Sequence, residues 1–391
     1  MANVLILCDR FAPMVGGSEK MLLDIARGLL QAGHRVNVLT PEGDESVAAR
    51  FDANEPYHII RSSTWAKLFR MGASKHKLAN RAARLLIVPL VLRQALKFRD
   101  ADMLIVGHVL PLGTVASLLK RLRPKIKTIV MTYGEDITVY SRGTRMRTML
   151  ISALTAADSI TCLTQSSAEE IAGLDASLQT RTHVVPPAVS EPPPPTAQQL
   201  DTLRQEHGLQ GNRILLTLSR LTPRKGIDVT LRAVALLRAR YPDLIYLVCG
   251  EGSDATRLHQ LVGELHIADM VRFAGHASPY VYSFCDVFCM PNRQMPDGER
   301  EGFGIVFLEA NLAGKPVIGG RSGGAVDAIV HEETGLLVDP QSPDEVAAAI
   351  SRLLDDRTFA DRLGKDGRQR ALTKFSTEAF VGRYLDLIQR F

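Results

Sequence analysis

Short apolar runs alternate with amphipathic helical stretches along the whole chain, and the pattern starts afresh near its middle. This alternation is typical of open parallel sheets with helices on both faces. The chain has 391 residues, which are too many for one hydrophobic core. We therefore predict two α/β domains, each a doubly wound parallel sheet. The predicted strands are residues 4–8, 35–40, 103–106, 128–132, 159–163 and 183–185 in the first half, and 214–219, 244–249, 271–274, 287–290, 316–319 and 335–338 in the second.

A proline-rich segment divides the two sets of strands. Pro186 and Pro187 are followed by four consecutive prolines at 192–195, and neither a helix interior nor a central strand accommodates such a run. We predict a Rossmann-like N-terminal domain over residues 1–186 and a Rossmann-like C-terminal domain over residues 187–375. Ligands of such domains bind outside the carboxyl ends of the strands, so we expect the domains to face each other across a central cleft. Helices are predicted at 343–354, 358–374 and 377–390.

The charge balance argues against one class of partner and favours another. A net charge of +5 is too small to indicate binding to nucleic acid. Residues 57–99, however, contain no acidic side chain, and apolar residues lie between the basic ones. This segment predicts contact with an anionic membrane surface or an anionic acceptor, and a solvated helix that covers the sheet is the alternative. Its basic residues are Arg61, Lys67, Arg70, Lys75, Lys77, Arg81, Arg84, Arg93, Lys97 and Arg99.

Two further sequence patterns bear on the cellular compartment of the protein. The apolar run at 85–92 is too short to span a bilayer and is interrupted by Pro89, and the N-terminus predicts a first strand rather than a signal peptide. The cysteines lie in or beside strand-like runs without the spacing of metal ligands. We therefore expect a reduced cytoplasmic protein with buried thiols. The cysteines are Cys8, Cys162, Cys249, Cys285 and Cys289.

The strongest candidate for chemistry is a pair of carboxylates, Glu301 and Glu309. They lie eight positions apart, a spacing that returns to nearly the same face of a helix. Glycines lead into this segment, so we expect a helix whose free N–H groups bind phosphate. Glu309 is then a candidate ligand of two sugar hydroxyls, and Glu301 lies closer to the reacting centre. The alternative is a helix start followed by a solvated surface charge.

Basic and glycine-rich loops follow several predicted strands. Arg220 and Lys225 follow the strand at 214–219, and a guanidinium with an ammonium group suits a diphosphate. Gly16 and Gly17 follow the first strand and precede a helix predicted to begin at Lys20. Two adjacent glycines allow positive φ angles there and let the backbone approach a ligand closely. The dinucleotide-binding pattern Gly-x-Gly-x-x-Gly is absent.

The remaining candidates follow three more predicted strands. Gly250 forms a tight turn after the strand at 244–249. His108 follows the strand at 103–106, where it is a candidate to hydrogen-bond a sugar hydroxyl or to share developing positive charge through its carbonyl. Asp136 follows the strand at 128–132 and is a candidate to orient an acceptor hydroxyl. For each of these residues a purely structural role is the alternative.

These motifs resemble the family 4 retaining glycosyltransferases of the GT-B fold, and within them the bacterial mannosyltransferase-like branch. The resemblance covers nearly the whole chain. Its most specific part is the carboxylate pair with its Gly-Phe-Gly lead-in, together with the two basic residues after the strand at 214–219. The other matching segments are Gly16-Gly17, Gly107-His108, Tyr133-Gly134-Glu135-Asp136 and Gly250-Glu251-Gly252.

The resemblance implies roles for individual residues. Glu309 would hold the nucleotide ribose, and His108 would lie beside the transferred sugar. The last helix, with residues 376–391, would pack back onto the first domain. The candidate catalytic residues are His108, Glu301 and Asp136. The candidate donor-binding residues are Gly16, Gly17, Arg220, Lys225, Gly250, Gly302, Phe303, Gly304, Ile305 and Glu309.

The implied reaction is metal-independent transfer of a hexose with retention, in which the acceptor attacks on the leaving-group face. The two basic residues and the helix N-terminus would neutralise the departing diphosphate. Asp100-Ala101-Asp102 precedes a predicted strand, so we interpret it as a helix-to-strand turn rather than a metal site. We expect no cofactor beyond the nucleotide-sugar donor.

Donor and acceptor stay open at this point. GDP-mannose with a glycan or lipid-linked acceptor is favoured, and UDP-glucose or another UDP-hexose is the alternative, because the polar approach at 293–300 departs from the family pattern. A sugar-nucleotide epimerase, a phosphorylase and a non-catalytic scaffold are the other function classes considered. The enzyme would be cytoplasmic or peripheral on the inner face of the cell membrane.

Overall fold

The computed structural model describes residues 1–14, 16–72, 77–275, 278 and 280–391. Within these residues the chain divides into two compact units, one formed by Met1–Pro187 with Thr377–Phe391 and the other by Ala188–Ser376. Of the basic segment at 57–99, Lys75 and the side chains of Lys77, Arg81 and Arg84 lie outside the described residues.

The first unit is built on a parallel sheet. Its strands are β1 (Asn3–Leu7), β2 (Arg35–Pro41), β3 (His58–Ser62), β4 (Met103–Val106), β5 (Lys127–Met131), β6 (Ser159–Cys162) and β7 (Thr182–Val184). In the described part of the chain the strand order is β3-β2-β1-β4-β5-β6-β7, so the order reverses between β1 and β4. The central strands are buried on both faces, which explains their continuous apolar sequences. The sequence prediction missed β3, a short edge strand that is only partly buried and carries Arg61.

Helices cover both faces of this sheet. They are α1 (Gly17–Gln31), α2 (Glu45–Asp52), α3 (Ser63–Gly72), α4 (Lys77–Ala95), α5 (Leu112–Leu122), α6 (Glu135–Ser141), α7 (Thr144–Ala156) and α8 (Gln165–Leu174), followed by a 3₁₀ helix at Ala176–Arg181. Trp65 and Ile87 of the basic segment belong to the core of this unit, so α3 and α4 cover the sheet. Basic side chains on these helices, Lys67, Arg70 and Arg93, are exposed, and so are Lys97 and Arg99 just after α4.

The second unit repeats the architecture. Its strands are β8 (Arg213–Leu218), β9 (Leu244–Cys249), β10 (Val271–Gly275), β11 (Val287–Met290), β12 (Val317–Gly320) and β13 (Leu336–Val338). Among the described residues these form a parallel sheet of order β10-β9-β8-β11-β12-β13, which reverses between β8 and β11. The prediction of two doubly wound parallel-sheet domains is therefore confirmed.

Helices also connect the strands of the second unit. They are α9 (Ala197–Glu206), a 3₁₀ helix at Pro223–Lys225, α10 (Ile227–Leu237), α11 (Ala255–Glu264), α12 (Val281–Phe284), α13 (Ile305–Leu312), α14 (Ala325–Ala328), α15 (Pro343–Asp355) and α16 (Arg357–Lys374). The last helix, α17 (Thr377–Gln389), belongs to the first unit and packs on α1, and its Tyr384 hydroxyl lies 3.1 Å from Thr161 Oγ1. No helix in the described residues is long and apolar enough to cross a bilayer.

Candidate active site

The reversal of strand order between β8 and β11 brings two polar loops of the second unit together. Strand order reverses at the place where doubly wound sheets bind their ligands, just outside the carboxyl ends. The first loop contains Arg220 and the short 3₁₀ helix that ends at Lys225, and the second leads from β11 to Glu301. A backbone hydrogen bond of 2.8 Å from Arg293 N to Arg224 O joins the two loops.

A buried ion cluster forms where these loops meet. The Lys225 ammonium lies 2.5 Å from Glu301 Oε2, and the Arg224 guanidinium lies 3.0 Å from the same oxygen. Lys225 and Arg224 are 7% and 5% exposed. Glu301 thus contacts both buried cations, and Glu299 Oε1 lies 2.9 Å from Arg224 Nε as a second counter-charge. Pairing of this kind makes burial of charges tolerable.

The three charges shift one another's protonation equilibria. Burial lowers the pKa of Lys225, and Arg224 lowers it further, while Glu301 opposes both effects. Burial alone would raise the pKa of Glu301, but Lys225 and Arg224 bring it below its ordinary value, so Glu301 is ionised. Arg220 is exposed, and its positive charge lowers the pKa of Lys225 and the pKa of Glu301.

Glu301 does not lie on the helix, and the prediction that it shares a helical face with Glu309 is wrong. Helix α13 begins at Ile305, after Gly304, whose φ of 87° is left-handed and turns the chain sharply. Glu301 lies in the preceding loop, where its carbonyl accepts a hydrogen bond of 2.9 Å from Gly324 N. The eight-residue spacing therefore reflects a loop carboxylate and a helix carboxylate rather than two turns of helix.

The lead-in to α13 lies partly inside the unit. Phe303 and Gly304 are buried, whereas Gly302 and Ile305 are partly exposed. A Cβ at Gly324 would meet the Gly302 carbonyl and Phe303 Cα at less than ordinary contact distance, so the loop carrying Gly324 packs directly on the lead-in. The segment that leads into α13 is therefore packed against the loop that carries Gly324.

Glu309 lies on α13 with a partner that sequence analysis missed. The Tyr282 hydroxyl donates a hydrogen bond of 2.7 Å to Glu309 Oε2. Tyr282 is buried, and burial raises its pKa well above the ordinary value, so it remains a donor at neutral pH. Its hydrogen bond orients the Glu309 carboxylate on the helix.

Gly250 serves the close approach of two loops. Its φ is 130°, and a Cβ there would overlap the Ser219 carbonyl at the end of β8. Its N–H donates a hydrogen bond of 2.6 Å to the Gly275 carbonyl. Backbone geometry therefore requires glycine at position 250, beside the loop that contains Arg220.

A second polar cluster lies at the corresponding place in the first unit. Asp9 follows β1 and His108 follows β4, the two strands between which the order reverses. His108 Nδ1 lies 2.6 Å from Asp9 Oδ1, and the His108 ring lies 5.2 Å from that of Tyr133, centroid to centroid. Sequence analysis missed Asp9, although its position directly after a predicted strand could have indicated it.

Asp136, the second residue of α6, also belongs to this cluster. Its Oδ1 accepts hydrogen bonds of 3.0 and 2.9 Å from the N–H groups of Tyr133 and Ile137. Oδ2 is buried and has no hydrogen-bond partner among the described residues. Burial raises the pKa of Asp136 to about 6, against the opposing effects of these amides and of His108.

Gly16 and Gly17 do not use the left-handed φ angles that glycine allows. Gly16 has an extended backbone with φ of 176°, and Gly17 is already the first residue of α1, which begins three residues before the predicted Lys20. The Glu19 carboxylate occupies the space that a Cβ at Gly16 would need. The backbone at position 16 therefore does not require glycine, and the nearby atoms belong to the end of the Glu19 side chain.

Asp100 and Asp102 both contact Asn3, the first residue of β1. Asp102 Oδ2 accepts a hydrogen bond of 2.9 Å from Asn3 N, and Asp100 bonds the Asn3 side chain, so both aspartates lie at the start of strands rather than at their carboxyl ends. Over the described ranges, no group of three or more His, Cys, Asp or Glu side chains is placed to hold a metal ion.

Two family models match the chain, one in each unit. The model described as Glycosyltransferase Family 4 matches residues 15–191, and the model described as glycosyl transferases group 1 matches residues 200–370. The chain belongs to the family 4 glycosyltransferases.

Relatives with full-length matches bear different names. The GDP-mannose-dependent alpha-(1-6)-phosphatidylinositol monomannoside mannosyltransferase of Mycobacterium tuberculosis is 29% identical, over 100% of this chain and 98% of its own. The N-acetyl-alpha-D-glucosaminyl L-malate synthase of Bacillus anthracis is 24% identical, over 95% of this chain and 93% of its own. The names of these two relatives thus refer to different sugars, a mannosyl group and an N-acetylglucosaminyl group.

A solved structure gives the same fold. Anabaena HepE in complex with UDP and glucose superposes with a TM-score of 0.77 and 19% identity, over 100% of both chains. At this identity the likeness concerns the fold, which is that of the GT-B glycosyltransferases.

Proposed function

We propose that this glycosyltransferase transfers a mannosyl group from GDP-mannose to a glycan or lipid-linked acceptor, with retention of configuration and without a metal ion. The observation that carries the proposal is the buried cluster of Lys225, Arg224 and Glu301, beside the start of α13 at the switch point of the second sheet. The full-length similarity to a GDP-mannose-dependent enzyme supports mannose as the transferred sugar.

The proposed chemistry uses charges already in place. Lys225 and Arg220 would bind the diphosphate together with the first N–H groups of α13, and they would stabilise the negative charge that develops as the sugar leaves. Glu309, held by Tyr282, would accept hydrogen bonds from the ribose hydroxyls. Gly250, with Gly16 and Gly17 at the start of α1, would complete the donor contacts.

The bonds exchange on one face of the sugar. The bond between the anomeric carbon and the phosphate oxygen breaks, the acceptor oxygen bonds to that carbon from the same side, and its proton passes to the departing phosphate oxygen. Glu301 is ionised and ion-paired to Lys225 and Arg224, so its proposed role is to bind a sugar hydroxyl and stabilise positive charge. His108 and Asp136 of the first unit would contact sugar and acceptor hydroxyls.

A UDP-hexose donor is the second candidate. The specific observation in its favour is the fold shared with HepE, whose structure contains UDP and glucose. Release of GDP or UDP should be measured with a panel that includes GDP-mannose, UDP-glucose and UDP-N-acetylglucosamine, with EDTA present. Turnover confined to UDP-sugars would overturn the mannose proposal, and a strict requirement for added divalent metal would overturn the metal-independent mechanism.

Lys225→Ala tests the role of the cluster. Arg224 still compensates Glu301 in this variant, so we expect folding to persist while kcat/KM falls by about 10²–10³-fold, the usual loss when one stabilising group is removed. Lys365→Ala is the matched control, because Lys365 is exposed on α16 of the same unit. Equal activity of the two variants would contradict the assignment.

We further propose that α3 and α4 contact an anionic membrane surface on the cytoplasmic side. Exposed Lys67, Arg70 and Arg93 provide the positive charge, and Met71 and Leu86 are exposed apolar side chains beside them. Sedimentation with liposomes of phosphatidylcholine alone or mixed with phosphatidylglycerol tests this surface. Failure to sediment with either composition would rule it out.

A further inference from the structure

Arg224 and Lys225 are neighbours in sequence that contact the same oxygen, but they are held very differently. Beyond Glu301 Oε2, the Arg224 guanidinium lies 2.9 Å from Glu299 Oε1 and donates a hydrogen bond of 3.2 Å to the Arg300 carbonyl. It is therefore anchored on three sides and points away from solvent. Among the described residues, Glu301 is the one carboxylate within ion-pair distance of the Lys225 ammonium.

A diphosphate that enters this site competes with Glu301 for Lys225. When an ammonium group leaves a buried carboxylate, the carboxylate must keep another counter-charge, because an uncompensated buried charge is strongly unfavourable. Arg224 supplies that counter-charge from a fixed position. Without it, Lys225 would be the one remaining cation bonded to Glu301 and would be held there against the ligand.

We propose that Arg224 is a positioning residue that retains Glu301 while Lys225 transfers from Glu301 to the donor diphosphate. The inference rests on the proposed function, since it assigns the diphosphate of a nucleotide sugar to Lys225. Glu299 contributes a second negative charge, 2.9 Å from Arg224 Nε. The polar loop at 293–300 thereby acts on the donor through Arg224 rather than by touching it.

The test is a double-mutant cycle read by calorimetric binding of GDP and UDP. Arg224→Gln should weaken binding of the preferred nucleotide about tenfold in the native background, the size expected for a charged hydrogen bond. In the Glu301→Gln background Lys225 is already released, so adding Arg224→Gln should change affinity by less than about twofold. Arg224→Lys keeps a cation beside Glu301 and should lie within about threefold of the native affinity.

The cycle separates positioning from a direct or purely structural role. If Arg224 bound the nucleotide itself, or if its loss simply disordered the loop, the weakening would be equal in both backgrounds, and that result would overturn the proposal. Arg352→Gln is the matched control, because Arg352 forms an exposed ion pair of 2.5 Å with Glu332 in the same unit. Since the readout is nucleotide binding, coupling seen without transfer from any donor would refute the proposed function and leave the role of Arg224 intact.

Discussion

At the scale of single residues, the protonation of the candidate functional groups of this glycosyltransferase depends on their neighbours. Lys225 is buried because Glu301 compensates it, and Glu301 stays ionised because Lys225 and Arg224 surround it. In the first unit, a buried carboxyl group shows the opposite shift of its pKa. Asp136 is buried beside amides and His108 without a full counter-charge, so the pKa of its carboxyl rises.

This difference predicts a pH effect on stability for Asp136→Asn. The pKa of Asp136 is raised to about 6, so the folded state holds the proton more tightly than the unfolded chain. The carboxyl therefore favours folding below about pH 4, and that contribution is lost as the pH rises through the folded pKa. Asparagine keeps an acceptor oxygen for the amides of Tyr133 and Ile137 without the charge, so the variant should exceed the native protein in stability at pH 7 by on the order of 1–3 kcal/mol.

Urea unfolding followed at several pH values between 4 and 7 measures this effect. The difference between native and variant stability should grow with pH across that window. Asp136→Ala serves as the control, because it removes both the charge and the acceptor that the two amides require. A difference that stays constant with pH would show that Asp136 keeps an ordinary pKa.

At the scale of elements, a glycine in the last turn of α1 allows α17 to pack closely. A Cβ at Gly28 would meet the Cγ atoms of Val381 on α17 inside van der Waals contact. Val381 is β-branched and cannot easily change rotamer on a helix. Gly382, one residue further along α17, has open space around the position of a Cβ.

The two glycines are expected to respond oppositely to the same substitution. Gly28→Ala should destabilise the protein by about 1–3 kcal/mol because it forces α1 and α17 apart. Gly382→Ala should stabilise it by about 0.5–1 kcal/mol, since alanine favours helix and meets no neighbour. Thermal unfolding of both variants checks the pair, and equal shifts would show that α1 and α17 do not pack as described.

At the scale of the whole molecule, the chain leaves its first unit and returns to it with α17. This helix buries Phe380, Tyr384 and Leu387 in the first unit, each less than 5% exposed. Burial of a large apolar side chain contributes about 1.5–3 kcal/mol, so three of them approach the net stability of an ordinary domain. The stability of the first unit thus depends on a helix that follows the whole second unit in sequence.

A chain that ends at Ser376 should therefore lose the first unit selectively. We expect its residues to become sensitive to limited proteolysis while the second unit, Ala188–Ser376, remains resistant. Removal of Arg390 and Phe391 alone is the matched control and should leave both units resistant. Uniform resistance of the longer truncation would show that α17 is dispensable.

The sequence predicted the sheets more accurately than it predicted the geometry of the site. Strand positions followed from apolar runs because the central strands are buried on both faces, and the one missed strand, β3, is the partly buried edge. Loop geometry was harder to predict. The helical spacing of Glu301 and Glu309 was misleading, because the left-handed Gly304 begins the helix only at Ile305.

The sequence by itself determined that two doubly wound sheets form and that Arg220, Lys225, His108 and Asp136 follow their strands, since period and position along the chain are local properties. Only the tertiary structure decided which charges meet. Arg224 and Arg220 are equally plausible cations in the sequence, yet it is Arg224 that contacts Glu301, 77 positions further along the chain. Coulomb and desolvation energies depend on distance and burial in space, and neither is encoded by neighbours along the chain.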